Sequence, residues 1–474
     1  MYFINISQSE KYIRIMRYWT QFLGAFAASL GLLIIGTALG FVTIALPQLQ
    51  KETDLNVQLD ENMGSWFASA LWICGLFSSP FGGILSGKLG RRSIILYCTP
   101  FVLLGWVQMG LAYNKLMLFS ARIITSTFSF LYLSSLGVYI SETVHPSIRS
   151  SLVILPVCFM ASGHLMVFLY GYYLGWRITA LMVSVPITVF FTMMYFLPET
   201  PYWLVENDRI SEARKSLEFY RVGATFDDIS DELEEIQEKH RSKMRQKGSQ
   251  SWTWTLKRFA SSAFWKPFLS VGILECLTPL AGFDVHIVYM IPILKDTGYS
   301  YDPEIVPIVV GAVRVFCAAF ISLFIQRISP KFLYSICQFI KTCDMAALGI
   351  LSFLHTYYPK LPILSYLGWL PMALMVNIIM MRGLGTAPVL QILLAESYPT
   401  DIRTQSVGLT DCAFSLIGCV IIKIYPDVKA CIGLHGVAIG FVVMGLMNAV
   451  WGFFSIPDNR GKSLVKVEEH FEKK

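Results

Sequence analysis

Long apolar stretches dominate this chain, and short polar breaks divide them. Twelve stretches approach roughly 20 residues, the length a helix needs to cross about 30 Å of hydrocarbon at its rise per residue. They lie near Gln21–Leu46, Trp66–Ser86, Ser93–Ala112, Leu116–Ile140, Leu152–Leu174, Ile178–Leu197, Phe268–Leu294, Ile305–Ile325, Leu333–Leu354, Tyr366–Leu394, Ser406–Ile424 and Val437–Ile456. Hydrocarbon offers no water to backbone N–H and C=O groups, so each is predicted to be a helix that bonds its own backbone. The fold class read from this pattern is all-α membrane: twelve transmembrane helices in two pseudo-symmetric six-helix bundles with a short cytosolic helical linker.

The polar breaks set an orientation. Lys88, Arg91 and Arg92 follow the second stretch, Arg149 the fourth, Arg327 and Lys331 the eighth, and Arg403 the tenth. The alternate breaks are poorer in base, as in Glu52, Asp54, Asp60 and Glu61, with Lys295 and Lys360 against the trend. The positive-inside rule then puts both termini in the cytosol. Lys11, Arg14 and Arg17 precede a first stretch too long for a cleaved signal, which reads as a retained anchor. On a cytosolic N-terminus the Asn5-Ile6-Ser7 triplet never meets the glycosylation machinery.

Between the sixth and seventh stretches the pattern changes. Residues 206–264 form a long polar segment rich in Glu, Asp, Lys and Arg, separating residues 1–205 from residues 265–474. Apolar residues at helical spacing over Ile210–Leu217 and Ile229–Ile236 predict short amphipathic helices, against the alternative of a solvated linker. The two flanking regions repeat. Glu142 stands seven residues before Arg149, and Glu396 seven before Arg403, an offset of 396 − 142 = 254; Pro198-Glu199 and Pro457-Asp458 repeat at 457 − 198 = 259. Transporters use such parallel halves with a solute site between them.

Composition agrees. Of 474 residues 54% are hydrophobic and 15% charged, with mean hydropathy +0.55, too little polar surface to coat a soluble globule of this size. The net charge of +6 follows the loop bias and points to anionic lipid, with no nucleic-acid partner. Ten scattered cysteines include no CxxC pair, so no disulfide framework, metal site or cofactor is expected. No P-loop, zinc-ligand spacing or nucleophile elbow marks an enzyme.

Matched carboxylates and arginines at helix ends can form charge-assisted pairs that latch helices in one state and hydrate in another. The candidate cytosolic gate is Arg91, Arg92, Glu142, Arg149, Glu199, Glu396 and Arg403. Gly82-Gly83-Ile84-Leu85-Ser86-Gly87-Lys88-Leu89-Gly90-Arg91-Arg92 supplies a tight turn between two helices, with paired arginines behind it.

Taken in order, this turn, Gly137 to Glu142 leading to Arg149, Gly175-Trp176-Arg177, Pro198-Glu199-Thr200-Pro201, Glu396 to Arg403 and Pro457 to Leu464 resemble the sugar porter family of the major facilitator superfamily. Among its members the chain is similar to insect facilitated trehalose transporters. The resemblance covers nearly the whole chain and implies two bundles rocking about a central site that takes a sugar such as trehalose or glucose. It also implies a cytosolic charge network locking the outward-open state. The family's acidic residue before the Gly-Arg-Arg turn is Gly87 here, and the arginine of its Pro-Glu-Ser-Pro-Arg pattern is Tyr202. The sugar-binding amides of span seven are replaced by Thr278 to Asp284; His164 stands for a glutamine in span five, Gln391 follows Ala387-Pro388, and Phe414-Ser415 replaces Asn-Trp.

Charge arrives in exchange: Glu275, Asp284, His286, Arg314, Lys341, Asp344, Arg382 and Asp411. Ionisable groups at membrane depth face the interior, pair, and mark function. Lys341 and Asp344, three apart, are expected to pair structurally. Asp284 and Arg314 are expected to form a cavity ion pair that the solute separates. The candidate substrate site is His164, Thr278, Phe283, Asp284, Tyr289, Arg314, Arg382 and Gln391. The sequence leaves three readings of the solute: a sugar, an organic anion or amphiphile chosen by Arg314 and Arg382, or a ligand sensed without transport. The partners implied are a small-molecule solute and the bilayer, in the plasma membrane, with a monomer sufficient.

Overall fold

The computed structural model describes residues 3–145, 154–247, 262–324, 328–398 and 403–456, with positions 148, 152 and 259. Among them every regular element is a helix: α1 (Phe3–Gln50), α2 (Glu61–Leu89), α3 (Arg91–Gly110), α4 (Lys115–Thr143), α5 (Ile154–Phe196), α6 (Pro201–Glu206), α7 (Ile210–Tyr220) and α8 (Phe226–Lys247). There follow α9 (Ser262–Pro267), α10 (Ile273–Leu280), α11 (Phe283–Val288), α12 (Met290–Asp296), α13 (Val306–Phe324), α14 (Pro330–Tyr357), α15 (Pro362–Tyr366), α16 (Leu370–Met381), α17 (Ala387–Ser397) and α18 (Arg403–Ser455). Among the described residues nine helices are long and apolar enough to cross a membrane, and Val306–Ile321 is a shorter apolar one.

Two elements depart from the expected spacing. The fifth and sixth stretches form one helix, α5, interrupted only at Gly175 (φ 75°, ψ 168°). The eleventh and twelfth form α18, interrupted at Gly433 (φ 72°, ψ 168°). The break expected over residues 425–436 is therefore helical as far as Gly433, because a left-handed residue, open to glycine, turns the chain without a loop. Contacts trace the reversal. Gly171 O accepts from Gln48 and Arg177 bonds Ala112 O at the end away from the linker, whereas Met194 and Tyr195 return to Arg92 beside it. The two glycines repeat at 433 − 175 = 258, within the period of the sequence landmarks.

The expected seventh span is broken as well. A π-helical turn (Phe268–Gly272) precedes α10, and Gly282 (φ 81°) separates α10 from α11. A second π-helical turn, Arg382–Thr386, interrupts the tenth stretch between α16 and α17. Such turns widen a helix locally and recur at functional sites.

Small residues bring the long helices together. A Cβ on Gly36 of α1 would stand 2.1 Å from Met160 O of α5, and one on Gly163 of α5 the same distance from Leu33 O. This reciprocal pair lets two backbones cross in contact, as in membrane helix packing generally. Beside the membrane region, α7 buries Ala213, Ser216, Leu217 and Tyr220, one face at helical spacing. With Ile229, Leu233 and Ile236 of α8, Ala213 and Leu217 pack on Trp203 and Leu204, so the charged segment is folded over residues 201–247. Arg221 fastens it, donating to Glu232 at 2.9 and 2.8 Å and to Thr143 O at 2.9 Å.

Candidate functional site

The two ends of the helices are called here the linker side and the far side. At the far side three side-chain bonds join residues before the linker to residues after it. Thr43 Oγ1 donates to Ile287 O at 2.9 Å and is buried; Lys423 Nζ donates to Asn62 Oδ1 at 2.8 Å; Tyr172 OH donates to Asp302 Oδ2 at 3.3 Å. The Lys423 ammonium also lies 5.1 Å from the centre of the Trp66 ring. Deeper, the Trp72 and Phe414 rings meet edge to face at 5.4 Å, and a Cβ on Gly311 would touch Leu165 at 2.9 Å. These contacts draw a seam along α2 with α18 and along α5 with α13.

Ionisable groups gather beside that seam. Gly282 starts α11 and directs Phe283 and Asp284 inward, 5% and 8% exposed. Asp284 Oδ2 is buried and has no hydrogen-bond partner among the described residues. It lies 3.8 Å from the point a Gly418 Cβ would occupy, and Trp72 Cδ2 is equally near that point. The missing side chain at Gly418 thus leaves space between a bare carboxylate and an indole from the other half. The π-helical turn begins at Arg382, whose guanidinium covers the Phe283 ring at 3.8 Å while its Nη1 is buried without a partner. Lys341 Nζ is 5.9 Å from the same ring.

The expected ion pair of Asp284 and Arg314 is not formed. No carboxylate oxygen of a described residue lies within 4.0 Å of a charged nitrogen of Arg314, Arg382 or Lys341. Asp284 faces Gly418 instead. Lys341 and Asp344 do not pair either, since each finds a partner on a neighbouring segment. Lys341 donates to Gln338 Oε1 at 2.7 Å and Thr386 Oγ1 at 3.4 Å, and Asp344 accepts from Asn377 at 2.8 Å.

The other expected site residues divide. His164 is buried at the seam with Nδ1 2.9 Å from Met160 O. Thr278 spends its hydroxyl on Leu274 O at 3.0 Å, and Tyr289 donates to Ile422 O at 3.1 Å with its ring against Tyr425, so both act in packing. His286 is likewise committed, its Nδ1 against Gly282 O and its ring against Phe441. Gln391 is exposed on α17, toward the linker side. The structure therefore brings together Phe283, Asp284 and Arg382 and adds Trp72 and Gly418, whereas His164 packs against Gly40 and Phe168. An apolar span in which Trp72 follows Trp66 carries no sign of that role; only the facing Phe414 and the gap at Gly418 reveal it.

On the linker side, Arg91 pairs with Glu142 at 3.0 Å and Glu206 at 3.3 Å, and Thr200 Oγ1 donates to the other Glu142 oxygen at 2.6 Å. Glu199 accepts from the backbone N–H of Arg92 and Ser93, capping the start of α3 at 2.9–3.1 Å. Arg92 forms no ion pair among the described residues; it donates to Met194 O at 3.0 Å and Tyr195 O at 2.6 Å, satisfying the last carbonyls of α5. Gly90 (φ 110°) is required here, since a Cβ would stand 2.4 Å from Glu199 Oε2. Every one of these partners precedes residue 207, so this part of the network fastens one half to itself. Arg149 and the side chains of Glu396 and Arg403 lie outside the described residues.

The profile of the family described as "Sugar (and other) transporter" matches residues 24–471. The chain belongs to that family. It is 29% identical to the facilitated trehalose transporter Tret1 of Apis mellifera ligustica, over 96% of this chain and 89% of that one. Against the Polypedilum vanderplanki Tret1 it is also 29% identical, over 95% of this chain and 88% of the relative. Among solved structures it is similar to the proton:xylose symporter XylE bound to 6-bromo-6-deoxy-D-glucose (TM-score 0.73, 18% identity, covering 96% of this chain and 100% of that one). The inward-open form of the E. coli xylose transporter XylE gives a TM-score of 0.75 at 18% identity, covering 94% and 98%. At such identity the likeness fixes the fold, that of the major facilitator superfamily. This member of the sugar transporter family is a multi-pass membrane protein and a carrier, not an enzyme.

Proposed function

We propose that this protein moves a sugar, or a close polyhydroxylated relative, across the plasma membrane by alternating access, with both termini in the cytosol. Trehalose and glucose are the first solutes to test. Twelve spans form two six-helix bundles, residues 1–205 and 265–474, joined by the cytosolic linker 206–264. The reversals at Gly175 and Gly433 support this count, as do Val306–Ile321 and the repeat of landmarks in the two halves.

The observation that carries the reading is the unpartnered, buried Asp284 carboxylate beside Trp72 at the seam. A carboxylate accepts two hydroxyl hydrogen bonds and an indole face covers the apolar C–H surface of a sugar ring, so together they suit a polyhydroxylated guest. Residues from both halves meet there, so binding senses their relative position, and the far-side bonds suit a state open toward the linker. Arg91, Glu142 and Glu199 then brace the first bundle as it rocks, with Arg149, Glu396 and Arg403 completing the gate.

The test is counterflow in proteoliposomes of purified protein with labelled neutral and acidic sugars. Saturable exchange of at least one, reduced tenfold or more in Asp284→Asn and in Trp72→Ala, is the expected result. Binding without exchange of any sugar in a protein of unchanged thermal stability would replace the carrier reading with that of a sensor.

A further inference from the structure

Two unpaired cations sit beside Asp284. Arg382 and Lys341 lie 3.8 and 5.9 Å from the ring of Phe283, the residue next to Asp284, and no carboxylate oxygen of a described residue comes within 4.0 Å of either charge. Buried charge in a membrane interior is tolerated when it is paired. Here Lys341 has only the neutral partners Gln338 and Thr386, and Arg382 has a buried nitrogen with none.

Geometry selects the kind of anion. One face of the Arg382 guanidinium is covered by Phe283 at 3.8 Å, which leaves its edge for a guest. A guanidinium edge matches a carboxylate by two parallel N–H···O bonds. Asp284 Oδ2 faces the gap at Gly418 and offers an acceptor for hydroxyls. Acceptor and donors are thus held apart, ready for a solute with hydroxyls on one part and a negative charge on another. We infer that the solute is a sugar acid, with its carboxylate on Arg382 and its hydroxyls on Asp284.

This inference rests on the carrier reading above and is tested so that the two can fail separately. In the counterflow assay, competition by glucuronate is compared with competition by glucuronamide, its uncharged isostere, and with glucose and glucose 6-phosphate. Wild-type protein should prefer glucuronate to the amide by at least tenfold. Arg382→Gln should bring the ratio close to one, and Arg382→Lys should retain part of it; a ratio within one preparation is insensitive to how much of the variant folds. Exchange of glucose or trehalose with no preference for glucuronate over the amide overturns the sugar-acid assignment and leaves the carrier standing. A preference that survives Arg382→Gln also overturns it, as does a preference for glucose 6-phosphate over glucuronate. No exchange of any sugar sinks both readings.

Discussion

Thr43 should hold the far side shut. Its hydroxyl bonds Ile287 O at 2.9 Å, is completely buried, and is the one buried member of the three far-side bonds. Thr43→Val keeps the shape and removes the donor. A buried neutral hydrogen bond contributes about 1 kcal/mol net. A state that opens the far side has already lost this bond, so the substitution destabilises only the closed state. With tenfold per ~1.4 kcal/mol, the open population should rise about fivefold. The Lys423–Asn62 bond is exposed and should be worth about 0–1 kcal/mol, so Lys423→Gln should change that population by about fivefold at most and usually far less. Spin labels at Leu55→Cys and Tyr366→Cys, exposed on the far side of opposite halves, report the separation by pulsed electron resonance once Cys343 and Cys431, the exposed native thiols among the described residues, are serine. Thr43→Ser should leave the distribution unchanged. If Thr43→Val does the same, the far-side seam does not set the resting state and the reasoning fails.

Three further predictions follow from the same contacts. Gly418→Leu puts a side chain into the gap between Asp284 and Trp72 and should raise KM or the half-saturating concentration at least tenfold with little change in Tm; unaltered affinity would remove that gap from the site. Arg91 and Glu142 have side chains only 10% and 15% exposed, so Arg91→Gln or Glu142→Gln should each cost about 2–4 kcal/mol. The double variant should cost less than their sum by about 1 kcal/mol or more, read by unfolding in detergent, and simple additivity would dissolve the pair. Gly90→Ala forces a side chain into φ 110° and against Glu199, at about 1–3 kcal/mol or more, whereas Gly83→Ala meets nothing within 4 Å. Equal thermal stability of these two variants would contradict the account of the turn.

Much of the architecture was legible because the membrane allows only one way to satisfy a backbone, so apolar length translates directly into helix. What composition could not reveal was where one residue replaces a loop. Tyr425, Pro426, Asp427 and Lys429 look like a polar break, yet the helix continues through them to Gly433, with Lys429 paired to Asp296. The burial of Asp284, His286, Lys341 and Asp344 was legible for the same reason, whereas Asp411 is exposed and the pairing of these charges was not legible. Spacing on one helix favours Lys341 with Asp344, but tertiary neighbours from α16 and the Arg382–Thr386 turn win each of them. In the same way Glu142 takes Arg91, which lies 51 residues before it. Trp72 could not be found at all from sequence, because its significance depends on an absent side chain on another helix.

The one-residue reversals have a mechanical consequence. Each joins an arm at the seam, Leu165 in α5 or Cys412 and Lys423 in α18, to an arm packed away from it on α3 or α14. With no slack between the arms, a shift at the seam is delivered whole to the outer arm, which carries residues as exposed as Tyr195, Phe196 and Phe454. The surrounding bilayer is therefore part of the load, and turnover should respond to its thickness and lateral pressure even where no lipid touches the solute.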